Sequence, residues 1–130
     1  MRTARLVATA VARRTGVPET MLDEVRLAVG EACSRAVEAH QAAGQDEPVR
    51  VTLSSDQGRL EIEVRNIGAA GHDSAPYGLS LAVIAGLADD VQINQTAAGT
   101  SVRMSWPVPD QAPATEELEA SAGGGSVAAQ

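Results

Sequence analysis

The chain has 130 residues and a formal net charge of −7, which argues against a nucleic-acid groove, because such a groove needs a concentrated basic face. All ten basic residues are Arg, so there is no lysine to reach a phosphate from a P-loop, form a Schiff base or hold pyridoxal phosphate. With no Phe, one Tyr and one Trp, the interior of what is most simply one domain has to be built from Ala, Val, Leu and Ile.

Residues Arg2 to Thr15 read as a helix with Leu6, Val7, Ala10 and Val11 on one stripe. The cluster of Arg2, Arg5, Arg13 and Arg14 reads as its solvated face. Gly16 stops this helix, and Pro18 suits the first turn of a second one running to about Ala43, with Gly44 as its C-terminal stop. On a helical wheel Leu22, Val25, Val29, Ala32, Cys33, Ala36 and Val37 share one face, and Leu27, Glu31 and Arg35 line up on the opposite side. Cys33 is the only cysteine, so it cannot form an intrachain disulfide and reads as a small core residue.

Next, "PVRVTLSSDQGRLEIEVRN" alternates apolar and polar residues on both sides of Asp56-Gln57-Gly58, the pattern of a β-hairpin with one buried face. Residues 68–77, "GAAGHDSAPY", read as a loop, and "GLSLAVIAGLAD" as a short, buried apolar helix. "VQINQT" and "TSVRMSW" form a second hairpin around "AAG". Beyond Pro107 the composition reads as a disordered tail, residues 108–130. No apolar run approaches the ~18 residues of a membrane span, and no signal segment opens the chain, so the protein is expected to be soluble and cytoplasmic, with no membrane partner. His40 and His72 lack partners at metal-ligand spacing and read as exposed or capping residues.

The order α-α-β-β-α-β-β predicts an α+β fold, a two-layer sandwich with helices on one face of a mostly antiparallel sheet.

Four stretches then carry a resemblance: "LDEVRLAVGEACSRAVEAH", "EVRNIGAAG", "YGLSLAVIAGLAD" and "AGTSVRMSW". In order and spacing they resemble the boxes of the GHKL, or Bergerat-fold, ATPases, and most of all the small bacterial anti-sigma-factor serine kinases, over about Arg5 to Trp106. The resemblance implies a histidine-kinase-like ATPase fold in residues 1–107, shortened at the N-terminus and in the lid. The strand expected before the first helix is not seen, which leaves a sheet edge uncovered or covered by a partner strand.

In that family the first box is a helical Glu-x-x-x-Asn, in which the Glu activates the attacking hydroxyl and the Asn holds Mg²⁺. The resemblance places Glu31 at the Glu, a vestigial base, and Arg35 at the Asn. A guanidinium has five donors and no acceptor, so Arg35 cannot ligate a metal, and Mg²⁺ is not expected here. Arg35 is expected to fold back on Glu31, the favourable i, i+4 order. The family's second box places an Asp on the adenine amino group. Here Asn66 stands in its place, keeping the acceptor and losing the charge, with Gly68 retained. Gly78 and Leu79 resemble the glycine-containing start of the next helix, which faces phosphates, with Ser80 where relatives carry a second Gly. Gly99 and Thr100 resemble the last box, with the Thr hydroxyl near the adenine.

Three of four boxes are thus altered at a chemically meaningful position. ATP is the cofactor that the resemblance implies, weakened at both ends. The reading is a pseudo-kinase: an anti-sigma-factor-like regulator that binds a sigma factor or an anti-anti-sigma partner, with a homodimer implied by family likeness. Two rivals stand beside it: an active serine kinase with Glu31 as base, and a nucleotide-binding regulator without hydrolysis in which Arg35 replaces the cation's charge.

Overall fold

The computed structural model describes residues 2–44, 46–67, 82–108, 114–121 and 124–128. Two helices open the chain, α1 over Arg2–Thr15 and α2 over Glu19–Ala42. The strands follow as β1 Val49–Asp56, β2 Arg59–Ile67, β3 Asp90–Thr96, β4 Gly99–Pro107, β5 Ala114–Ser121 and β6 Gly124–Ala128. All pairings are antiparallel, in the spatial order β3-β4-β2-β1-β5-β6. The expected α+β class is observed, with both helices on one face of the sheet.

The β1–β2 hairpin forms where the sequence puts Gln57-Gly58: both residues have positive φ, 53° and 76°, the conformation of a two-residue turn whose twist matches that of the strands. Alternation then divides the two faces. Val49, Val51 and Leu53 of β1, Leu60, Ile62 and Val64 of β2, and Val102, Met104 and Trp106 of β4 are buried under the helices. Their neighbours form a charged outer face, including Glu61, Glu63 and Arg103. Val102, Val64 and Val51 stand opposite one another across β4, β2 and β1, so one apolar stripe crosses the sheet.

On α2 the expected stripe is the buried one. On α1 the stripe is different: Ala4, Ala8, Val11 and Ala12 are buried, Val7 is half-buried, and Leu6 is 62% exposed. Alanines let α1 approach its neighbours closely, and the bulkier Leu6 is left on the outside. The apolar stretch after Gly78 is described from residue 82, and residues 82–87 are helical. Only Ile84 is fully buried there, and Val83 is 43% exposed, so this turn lies against the core and is not enclosed by it. Trp106, the largest fully buried side chain, ties to it by donating from Nε1 to the Leu87 carbonyl at 3.1 Å.

The tail corrects the sequence reading. Residues 114–121 are not disordered but form β5, which lies antiparallel on β1 from Val49↔Ala120 to Ser55↔Ala114, and β6 pairs with β5 in turn. The Val108 N–H donates to the Gly58 carbonyl at 2.8 Å, so the chain leaves β4 across the β1–β2 turn. In the spatial order β5-β1-β2-β4 the strand that follows β4 lies beside β1, on the far side of the central β1–β2 hairpin. The β1 edge, expected to be uncovered or covered by a partner, is covered by the chain's own C-terminal segment. Composition missed this because β5 is mostly polar and is held by backbone pairing and the buried Leu118.

Candidate functional site

Successive steps of four residues along a helix advance the side chain by about 40° each, because four residues exceed one 3.6-residue turn. Along α2 this drift carries Leu27, Glu31 and Arg35 from solvent toward the sheet. Leu27 is 57% exposed, Glu31 is intermediate and Arg35 is 4% exposed. The expected placement of Arg35 opposite the core is therefore corrected. Ala28, Ala32 and Ala36 flank it, all fully buried, and their small side chains leave room for a long one between helix and sheet.

What Arg35 reaches is Asn66. Its Nη2 donates to Asn66 Oδ1 at 3.1 Å, a contact between residues 31 apart in the chain. Asn66 is near the end of β2, on the helix-facing side in register with Thr100 of β4, and the two are 5% and 3% exposed. Arg35, Asn66 and Thr100 thus come together as a buried polar cluster at one end of the core.

Gly99 is the reason β4 can start so close to this cluster. It pairs with Ile67 at φ +154°, and a Cβ there would collide with the Asn66 carbonyl oxygen. Only glycine fits that approach without a shift in the backbone. Gly99 and Thr100 stand beside Asn66, so the second and last boxes meet in space. Gly68, Gly78 and Leu79 lie outside the described residues.

A cavity of about 450 Å³ lies at this end of the sheet, lined by Asn66, Gly99 and Thr100 together with Arg65, Asn94 and Thr96 among others. Among the described residues, none that line it comes from α2. Arg65, Asn94 and Thr96 alternate with the buried positions and face away from the helices. Among the described residues, Arg35 reaches this cavity only through Asn66, to which it donates, and Glu31 does not line it.

The profile of the histidine kinase-like ATPase domain matches residues 1–106. The chain belongs to that family. The match stops at the end of β4, so β5 and β6 lie beyond the part of this ATPase-like domain that defines the family. A comparison with curated proteins finds no match.

Within this histidine kinase-like domain, the geometry tests whether the residues present fit Mg²⁺ and ATP. At the position that the resemblance assigns to the metal ligand stands a buried guanidinium, which has no lone pair for a cation and repels it. That guanidinium is bonded to the residue at the adenine position. The donor set does not fit a metal-bridged nucleotide.

The sequence reading missed His40. It is 4% exposed and not at the surface: Nε2 accepts from the Ile67 N–H at 2.8 Å, and Nδ1 lies 2.7 Å from the Glu47 carbonyl. The neutral tautomer with its proton on Nδ1 satisfies both contacts. His40 thereby joins the end of α2 to the end of β2, one residue past Asn66. Its place on the apolar side of α2, seven residues after Cys33, was the available signal.

Cys33 packs in the same layer, and its thiol is pushed up to about 12 by burial, against a smaller opposing pull from the guanidiniums of Arg5 and Arg35. A neutral buried thiol is a packing group and not a nucleophile. Among the described residues, no helix is long and apolar enough to cross a membrane.

Proposed function

We propose that this chain is an anti-sigma-factor-like regulator that works by binding a sigma factor or an anti-anti-sigma protein, and that it has no kinase chemistry. The observation that supports the reading best is the buried Arg35–Asn66 hydrogen bond. In the family that the boxes resemble, these positions serve opposite ends of one nucleotide. Here the two side chains serve each other. To admit ATP, the pair would have to separate, exposing a desolvated guanidinium and an amide before either found a new partner. Partner switching needs only a folded surface and differential affinities for two proteins, so it survives the loss of catalysis.

Calorimetric titration with ATP, with and without Mg²⁺, tests this. The expected result is no binding heat and no thermal stabilisation in either condition, with partner binding indifferent to nucleotide. Magnesium-dependent binding would overturn the reading and restore the active serine kinase, with Glu31 as its base. Binding that ignores Mg²⁺ and disappears in Arg35→Ala would favour the third reading, in which Arg35 clamps phosphates without hydrolysis.

A further inference from the structure

The outer surface of the helix layer is divided by charge. α1 carries four arginines and no acid, and Arg5, Arg13 and Arg14 are exposed. On α2, Glu19, Asp23, Glu24 and Glu38 are exposed and Glu31 is half-buried, against one exposed arginine, Arg26. Each helix also holds one large apolar side chain out in solvent. Leu6 stands opposite the buried stripe of Ala4, Ala8, Val11 and Ala12, and Leu27 opposite that of Leu22, Val25, Val29 and Ala36. Among the described residues, these two leucines are the most exposed large apolar side chains. An apolar centre within a charged surround is the anatomy of an interface.

The two leucines sit at one level. α1 and α2 run antiparallel: a Cβ at Gly30 would press on the Arg5 side chain, and Arg13 pairs with Glu19 at 3.6 Å. With Arg5 level with Gly30, Leu6 is level with residue 29, about 3 Å along the helix axis from Leu27. A two-fold axis running along the helices lays α1 of one copy on α2 of another and leaves these levels unchanged. Each Leu6 then meets Leu27 of the other copy, Arg5 faces Glu31, and Arg13 faces Asp23 and Glu24. An axis across the helices would stack α1 on α1 and α2 on α2, like charge on like.

We propose that the outer face of α1 and α2 takes a second copy of this chain, in a four-helix contact with Leu6 and Leu27 at its centre. The occupant is a second copy because one face carries both halves of each complementary set, the arginines and the acids, and a leucine on each helix at the same level. Two helices cover a footprint of about 20 Å by 20 Å, which buries roughly 800–1,200 Å² in total, the range of weak and reversible pairs. The face lies on the other side of the helix layer from the Arg35–Asn66 bond, so the proposal holds for any outcome of the ATP titration.

Sedimentation velocity of the full chain from about 5 to about 500 µM tests this, since a contact of that size dissociates in the micromolar range. The expected result is a monomer–dimer equilibrium that high salt weakens. Leu6→Glu and Leu27→Glu should each weaken it at least about tenfold. Arg13→Glu and Glu24→Arg should each weaken it and together restore it, a rescue that damage to the fold would not give. A Leu6→Cys chain mixed with a Leu27→Cys chain should oxidise to a cross-linked pair, which neither forms alone; Cys33 is buried and takes no part. A chain that stays monomeric throughout the range overturns the proposal, as does a dimer that both glutamate variants leave unchanged. Leu6→Cys chains that cross-link alone as readily as in the mixture would mean α1 on α1, and overturn it too. A monomer whose sigma-factor binding is lost in both glutamate variants would assign the face to that partner, which also overturns it.

Discussion

Arg35 and Asn66, 4% and 5% exposed, are joined by a hydrogen bond of 3.1 Å that spans the interface between α2 and β2. It ties the middle of α2 directly to the end of β2. The bond is a structural tie, and the absence of kinase chemistry that we propose rests on it.

Arg35→Ala removes the donor to a buried amide and empties part of the helix–sheet interface. The expected cost is about 1–3 kcal/mol, the usual penalty for leaving a buried polar group without its partner. Urea unfolding followed by the fluorescence of Trp106, the sole tryptophan and fully buried, reads it directly. Asn66→Asp should not gain ATP affinity, because a carboxylate holds the guanidinium more firmly than an amide does. Arg35→Asn combined with Asn66→Asp frees both positions, and any recovery of Mg-ATP binding should appear only in that double variant. ATP binding by Asn66→Asp alone would show that Arg35 does not obstruct the site.

Gly99→Ala forces a Cβ against the Asn66 carbonyl oxygen, so the start of β4 has to move away from β2. A loss of about 1–3 kcal/mol is expected, in the range of overpacked sites. Faster amide exchange at Ile67, the register partner of Gly99, should accompany it. An unchanged unfolding midpoint would mean that the strand shifts freely.

His40→Ala deprives the Ile67 N–H of its acceptor and the Glu47 carbonyl of its contact. The expected loss is again about 1–3 kcal/mol. It should be accompanied by faster exchange of the Ile67 amide specifically, with α1 unaffected.

Cys33 makes a prediction with a sign. Its pKa is raised from 9.0 to about 12 in the folded chain by burial, so the folded state holds the proton more tightly than the unfolded state. The stabilisation is complete below pH 9 and is lost as pH rises from 9 toward 12, by at most about 1.4 kcal/mol per pH unit. Cys33→Ala should flatten that alkaline decline. At pH 8 the native thiol should resist a disulfide reagent that modifies it readily in urea.

Much of the fold was legible because its periodicities are strong. The buried face of α2 reads directly from Leu22, Val25, Val29 and Val37, and the β1–β2 hairpin from its alternation around Gln57-Gly58. α1 was legible in extent and not in orientation: its smallest residues face inward, and a hydrophobicity pattern ranks Leu6 above Ala4 and Ala8. The candidate residues Asn66, Gly99 and Thr100 were singled out by their resemblance to boxes, and the sheet register is what makes them neighbours. Arg35 was singled out by its place in the first box and assigned to the wrong side of α2.

The sequence by itself determined the local choices: where helices begin and end, which strand faces carry apolar residues, and the absence of a metal-ligating side chain at position 35. Those depend on residue chemistry and spacing within a few turns. Tertiary structure alone decided that Arg35 reaches Asn66, that His40 bridges α2 and β2, and that the polar C-terminal stretch closes the edge of β1. Each is a contact between segments distant in the chain, set by helix rotation and strand register, and no local pattern encodes the partner. β5 is the clearest case, because a strand held by backbone hydrogen bonds becomes stable only when an edge is there to receive it.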